Sequence, residues 1–173
     1  MKKLWIVFVL LSCLLTGCAA EETARFVVSD EIVTMPAGCT RYGISICLPE
    51  GMTEAVSAQG DARRLYESAD GSYYVVTEVC PNCTADEVIR QMTGSDAKTL
   101  GALCTQNMSM PEYRFSWCME GENGMLTCTG IVAEDAAYCY SLQFCARENA
   151  AKACAQAREQ VMSSFGLYGD EGF

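Results

Sequence analysis

The sequence predicts an α+β fold, a mostly antiparallel sheet with a mid-chain helix and a C-terminal helix packed on it. Three observations lead there. Segments of alternating apolar and polar residues cluster on both sides of one strongly capped helix. The last three such segments follow one another through short turns, in meander order. Beyond them the apolar residues recur at helical spacing.

Taken in order, Arg25 to Met35 holds a short apolar run fit for a first strand. Tyr42, Ile44, Ile46 and Leu48 alternate with Gly43, Ser45 and Cys47, and Pro49 and Gly51 end that strand. Ala62 to Glu67 is a short strand, Asp70-Gly71 a hairpin signal, and Ser72 to Val79 a β-branched and aromatic strand. Thr84-Ala85-Asp86-Glu87 is a capping box: the threonine accepts a first-turn amide and Glu87 reaches back. The helix it opens should stop at Gly94, and a second short helix is expected across Ala97 to Cys104. The meander strands are Tyr113 to Glu120, Met125 to Glu134 and Ala137 to Arg147, with Asn123-Gly124 and Glu134-Asp135 at the turns. A closing helix from Asn149 to Phe165 carries Ala150, Cys154, Ala157, Val161 and Phe165 as one apolar stripe.

The N-terminus is an address. Met1-Lys2-Lys3 precedes an apolar run from Leu4 to Leu15, too short for the roughly 20 residues of a membrane span and suited to a secretory signal. The string Leu14-Leu15-Thr16-Gly17-Cys18 resembles the lipobox of bacterial lipoproteins. That resemblance implies diacylglycerol on the Cys18 thiol and cleavage before it; the alternative is an ordinary signal in which Cys18 falls by chance. The expected organisation is a signal peptide over 1–17, an acylated tether over 18–24 and a single α+β domain over 25–173. Two or three acyl chains hold far more firmly than one. Ala19, where a retention signal would be Asp, points to the outer membrane in a two-membrane cell, and in a one-membrane cell the outer face is the only choice.

Downstream, Leu48-Pro49-Glu50-Gly51, Thr84 to Glu87 and Ser163-Ser164-Phe165, in that order of elements, resemble the Mog1/PsbP-like α/β sandwich over residues 40–166. That group includes small lipoproteins of unassigned role.

Composition narrows the chemistry. Twelve basic residues face 22 acidic ones, net −10, and loss of Lys2 and Lys3 with the signal makes the exported chain more acidic still. Such a surface repels phosphate backbones, so no nucleic-acid partner is expected. The chain has no histidine, which excludes Ser-His-Asp and Cys-His catalysis and most catalytic zinc sites.

Twelve cysteines, less Cys13 in the signal and Cys18 at the anchor, leave Cys39, Cys47, Cys80, Cys83, Cys104, Cys118, Cys128, Cys139, Cys145 and Cys154. An exported chain meets an oxidising compartment, so these are disulfide candidates. The alternative is cysteine used as a small apolar residue, as an anaerobic host would allow. Zinc on four cysteines normally wants two CxxC pairs and only one is present, so no metal and no cofactor are expected. Strand parity sets Cys139 and Cys145 opposite Tyr138, Tyr140, Leu142 and Phe144. It turns Phe115, Trp117 and Met119 inward and Cys118 out with Arg114 and Ser116. The cysteines are thereby expected on the face away from the aromatic core. A three-residue Glu122-Asn123-Gly124 loop puts Cys118 across from Cys128, the expected register; a two-residue Asn123-Gly124 turn would shift it by one.

Cys80-Pro81-Asn82-Cys83 resembles the thioredoxin-like redox motif, placed between a strand and a capped helix whose N-terminus could stabilise a thiolate. Thr84 as N-cap leaves Cys83 outside the helix, and Pro111 alone could serve as the facing proline of that family. Cys104 with Met108 and Met110 offers soft ligands suited to Cu(I), or ordinary packing. Glu120, Glu122, Glu134 and Asp135 cluster at hairpin tips, as solvated turns or as acid and base. Tyr73, Tyr74, Tyr113, Tyr138, Tyr140 and Trp117 could line a groove or fill a core.

The reading is a lipid-anchored protein on the extracytoplasmic side of a bacterial membrane, a monomer, not an enzyme, acting as a disulfide-braced binding or accessory module. The runner-up is a thiol–disulfide exchange protein with Cys80 as nucleophile and Cys83 as resolving thiol.

Overall fold

A computed structural model describes residues 25–28, 41–55, 62–107 and 109–169. The signal, Cys18 with its tether, Cys39 and Met108 lie outside them, as does the part of the first expected strand beyond Val28.

Ten strands and three helices make up the described chain. β1 (Arg25–Val28), β2 (Gly43–Leu48) and β10 (Gly166–Tyr168) form a small sheet in the order β1-β2-β10. The remaining strands are β3 (Thr53–Ala55), β4 (Arg63–Glu67), β5 (Tyr73–Pro81), β6 (Leu103–Asn107), β7 (Met110–Gly121), β8 (Gly124–Glu134) and β9 (Tyr138–Arg147). They form a wholly antiparallel sheet in the order β3-β4-β5-β9-β8-β7-β6. The helices are α1 (Ala85–Thr93), α2 (Ala97–Leu100) and α3 (Ala155–Ser163).

The large sheet is buried on both faces. On one, Val75, Val79, Ile131, Tyr140, Leu142 and Phe144 pack with Ile44, Ile46 and Leu48 of β2 and Val161 and Phe165 at the end of α3. On the other, Ala85, Val88 and Ile89 of α1 cover Phe115, Trp117, Cys128, Val132, Cys139 and Cys145. Cys139 and Cys145 do lie opposite the Tyr140 face. Phe115 and Trp117 share the cysteine face, because Trp117 stands directly opposite Cys128, so that face is a second core with aromatic residues of its own and the cysteines are not set apart from them.

Local chemistry explains the ends. Thr84 and Glu87 form the capping box, and Gly94 ends α1 in the left-handed region at φ 76°. The expected helix to Cys104 stops at Leu100 because Gly101 also turns left-handed, and Leu103 to Asn107 then pairs with β7 as an edge strand. The expected helix from Asn149 begins only at Ala155; tight bonds such as Ala150 N–H to the Arg147 carbonyl hold the preceding residues in turns. Its stripe keeps the expected face: Cys154, Val161 and Phe165 are buried and Ala150 and Ala157 pack beside them. After α3 the hydroxyl of Ser164 accepts the Cys47 amide at 2.8 Å, and Gly166 to Tyr168 adds a strand to β2.

The β7–β8 turn overturns the expected pairing. Gly121 pairs with Gly124 and the loop is Glu122-Asn123, so Cys118 faces Thr127 and not Cys128. The two-residue loop is one position earlier than Asn123-Gly124. Gly124 itself takes the positive φ, 111°, and closes the ladder.

Candidate functional site

The two ends of the large sheet carry different chemistry. At one end the β5–α1 junction holds Cys80 and Cys83, with Asn82 left-handed at φ 54° between them. Cys80 stands opposite Cys139, and the Cys139 thiol donates to the Cys83 carbonyl at 3.1 Å. The Cys83 thiol itself turns to the Pro81 carbonyl at 3.4 Å, and at Cys80 and Cys139 the thiolate is not favoured. Burial pushes the Cys80 thiol up to about 12, helped by Glu78 and Cys83; burial with Glu134 and Cys80 does the same to Cys139. Glu134 is turned to the helix instead of the solvent, its carboxylate accepting the Ala85 amide at 3.1 Å.

At the other end, a cleft of about 420 Å³ opens between the β4–β5 and β7–β8 turns, on the cysteine-bearing face. Tyr73, Tyr74, Met119 and Leu126 line it with Arg147; Glu67 and Glu122 bring acidic charge. Arg147 lies close over the β4–β5 turn, since a Cβ added at Gly71 would sit 3.5 Å from its guanidinium. Asp70 builds that turn by accepting the Ser68 hydroxyl and the Ser72 amide, and the Ser72 side chain and amide, with the Ser68 hydroxyl, hold its carboxyl down at about 2. Tyr73 stacks on Phe144 at 5.0 Å between ring centres, which fixes one wall from the opposite core.

Beneath the cleft lies a row crossing four strands: Tyr74, Cys145, Cys128 and Trp117, each opposite the next. Cys145 lines the cleft from below, yet both cysteines are fully buried. Tyr74 and Cys128 flank Cys145 from the two neighbouring strands. Cys128 first and Tyr74 second pull the Cys145 thiol down against its burial, while Cys145 and burial push the Cys128 thiol up. Sequence parity put Cys145 on the right face but, with β7 misaligned, missed Cys128 as its neighbour. The directly opposed pair becomes visible only once the β8–β9 turn is known.

The nine described cysteines stand as free thiols. Besides the two groups above, Cys47, Cys104, Cys118 and Cys154 sit on separate elements: β2, β6, β7 and the entry to α3. Cys104 is exposed on β6 while Met110 packs into the first core, so these two do not form a soft-ligand set. No cluster of metal-ligating side chains occurs among the described residues. Pro111 lies within β7 opposite Gln106. Asp135 is structural: it accepts the Ala137 and Tyr138 amides and the Tyr140 hydroxyl, all within 2.8 Å. Glu120 and Glu122 are exposed at the hairpin. Of the aromatic residues, Tyr138, Tyr140 and Trp117 are core, and Tyr73 and Tyr74 reach the cleft.

No family model and no curated protein matches the chain. Among solved structures, CyanoP, the cyanobacterial PsbP of Synechocystis, superposes with a TM-score of 0.54 at 11% identity, over 80% of this chain and 98% of its own. The fold is PsbP-like. LpqN of Mycobacterium tuberculosis, a protein involved in cell envelope biogenesis, matches with a TM-score of 0.51 at 8% identity, over 84% of this chain and 91% of its own. A Bacteroides thetaiotaomicron structure matches with a TM-score of 0.51 at 13% identity over 75% of this chain, which spans 46% of that longer one. At these identities the likeness concerns architecture and not chemistry. Within the PsbP-like frame the expected motifs have clear roles. Leu48 to Gly51 closes β2 with a left-handed Gly51, and Ser164 ties α3 to β2.

Proposed function

We propose that this chain is a lipid-anchored extracytoplasmic protein, held to a bacterial membrane through acylated Cys18, whose disulfide-braced domain is a non-catalytic binding or accessory module. The cleft carries the reading. It is concave, and it mixes aromatic and aliphatic walls with a few charges, the composition of a recognition site. With no histidine in the chain, its charged groups, Arg147, Glu67 and Glu122, suit holding a ligand better than turning one over. The lipobox-like string supports the location, and the architecture shared with LpqN, itself involved in cell envelope biogenesis, is in keeping with it. The exchange reading is weaker because its nucleophile, Cys80, is held protonated.

The test places a photo-crosslinking residue at Met119, on the cleft, or at exposed Gln106 on β6, in intact cells. A discrete envelope adduct from Met119 alone is expected; adducts from neither position, or equally from both, overturn the cleft as the binding site. Incorporation of labelled fatty acid that disappears in Cys18→Ala is the expected sign of the anchor.

A further inference from the structure

Two pairs of cysteines stand directly opposite one another in the large sheet, Cys80 with Cys139 and Cys128 with Cys145. Their positions in the ladder differ. Between β8 and β9, Glu148 N–H donates to the Met125 carbonyl at 3.0 Å and Asp135 N–H to the Tyr138 carbonyl at 2.9 Å. Both belong to the register line of Cys128 and Cys145, and hydrogen-bonded pairs alternate along it. Cys128–Cys145 is therefore a non-hydrogen-bonded pair, where opposed Cα atoms approach to about 4.5 Å and side chains draw together. That separation lies within the range a disulfide spans. Between β5 and β9, Arg147 N–H to the Ser72 carbonyl at 3.0 Å and Asn82 N–H to the Ala137 carbonyl at 2.8 Å make Cys80–Cys139 a hydrogen-bonded, wider pair. There the Cys139 thiol is engaged by the Cys83 carbonyl.

We propose that Cys145 and Cys128 are the attacking and resolving thiols of a cross-strand disulfide, formed by exchange with a low-molecular-weight disulfide that enters through the cleft. The proposal rests on the bracing half of the function proposed above and names its first bond. Both sulfurs are buried, Cys145 at the floor of the cleft and Cys128 behind it, so opening of that floor bares Cys145 first, which sets the order of attack. The Cys145 thiolate attacks one sulfur of R–S–S–R; the Cys145–S–S–R bond forms and the R–S–S–R bond breaks. R–S⁻ departs and takes up the proton that Cys145 has lost. Cys128 then attacks the Cys145 sulfur, the mixed disulfide breaks, and the second R–S⁻ leaves with the Cys128 proton. Two protein thiols are oxidised to one disulfide and R–S–S–R is reduced to two R–SH. Tyr74 stands directly opposite Cys145 on β5, where its hydroxyl would steady the thiolate before attack.

The test incubates the reduced exported chain with oxidised glutathione, quenches it in acid, then denatures and alkylates it for peptide mapping. A peptide pair joined through Cys128 and Cys145 is expected. In Cys128→Ala, glutathione is expected to remain trapped on Cys145, whereas Cys145→Ala carries none on Cys128. Bonds elsewhere with both residues alkylated overturn this pair and leave the bracing reading standing. Alkylation of every thiol overturns both. The wild-type map decides the matter even where a variant fails to fold.

Discussion

The carboxylate of Glu134, at the last position of β8, accepts the backbone N–H of Ala85, the first residue of α1, at 3.1 Å. A helix leaves its first amides without internal partners and carries partial positive charge at that end. Thr84 and Glu87 satisfy two of these groups locally; Glu134 satisfies a third from across the chain and locks α1 onto the second core.

Glu134→Ala is therefore expected to cost about 1–2 kcal/mol, the range for a charge-assisted hydrogen bond plus a favourable helix-end charge. Urea unfolding should show a lower midpoint with unchanged slope. The variant also removes a charge that helps hold the Cys139 thiol up, so Cys139 should alkylate faster in it. An unchanged midpoint would show that solvent replaces the bond without loss.

In the reduced protein the Cys80 thiol, raised from 9.0 to about 12, should carry roughly a thousandfold less thiolate at pH 8 than an unfolded control. Peptide-resolved alkylation rates check this directly. Because the folded value lies above the unfolded one, the associated stability is complete below about pH 9. It falls away as pH rises toward 12, and the denaturation midpoint should decline across that window. Cys80 reacting at the rate of the unfolded control at pH 8 would restore the thiol-exchange reading.

The fold was legible where a signal is local. The capping box at Thr84, the left-handed stop at Gly94 and the alternation in β2 are written in adjacent residues, and each appears as expected. What escaped depends on long-range pairing. Leu103 to Asn107 is strand and not helix because β7 is there to receive it, and three-residue β10 has meaning only beside β2. The site suffered from the same cause. A register differing by one residue at Glu122-Asn123 moved Cys128 from Cys118 to Trp117 and brought Phe115 and Trp117 onto the face expected to hold cysteines away from the aromatic core. The cleft is shaped by two turns more than 40 residues apart in sequence, which no local pattern connects.

Gly130 gives the clearest test of that corrected register. It lies opposite Phe115, and a Cβ there would meet the Phe115 ring at 2.8 Å and Trp117 at 3.1 Å. Those ring centres lie 5.5 Å apart, tilted by 33°, in the second core, where Phe115 is 5% and Trp117 8% exposed, so neither can swing into solvent. Gly130→Ala is accordingly expected to destabilise by about 1–3 kcal/mol through overpacking, although alanine suits a strand better than glycine does. The companion Phe115→Leu removes much of the crowding, so the double variant should recover part of the loss in a double-mutant cycle. Additive losses, or a stabilised Gly130→Ala, would mean that the aromatic pair does not lie over Gly130. The register that brings Cys128 beside Trp117 would then fall with it.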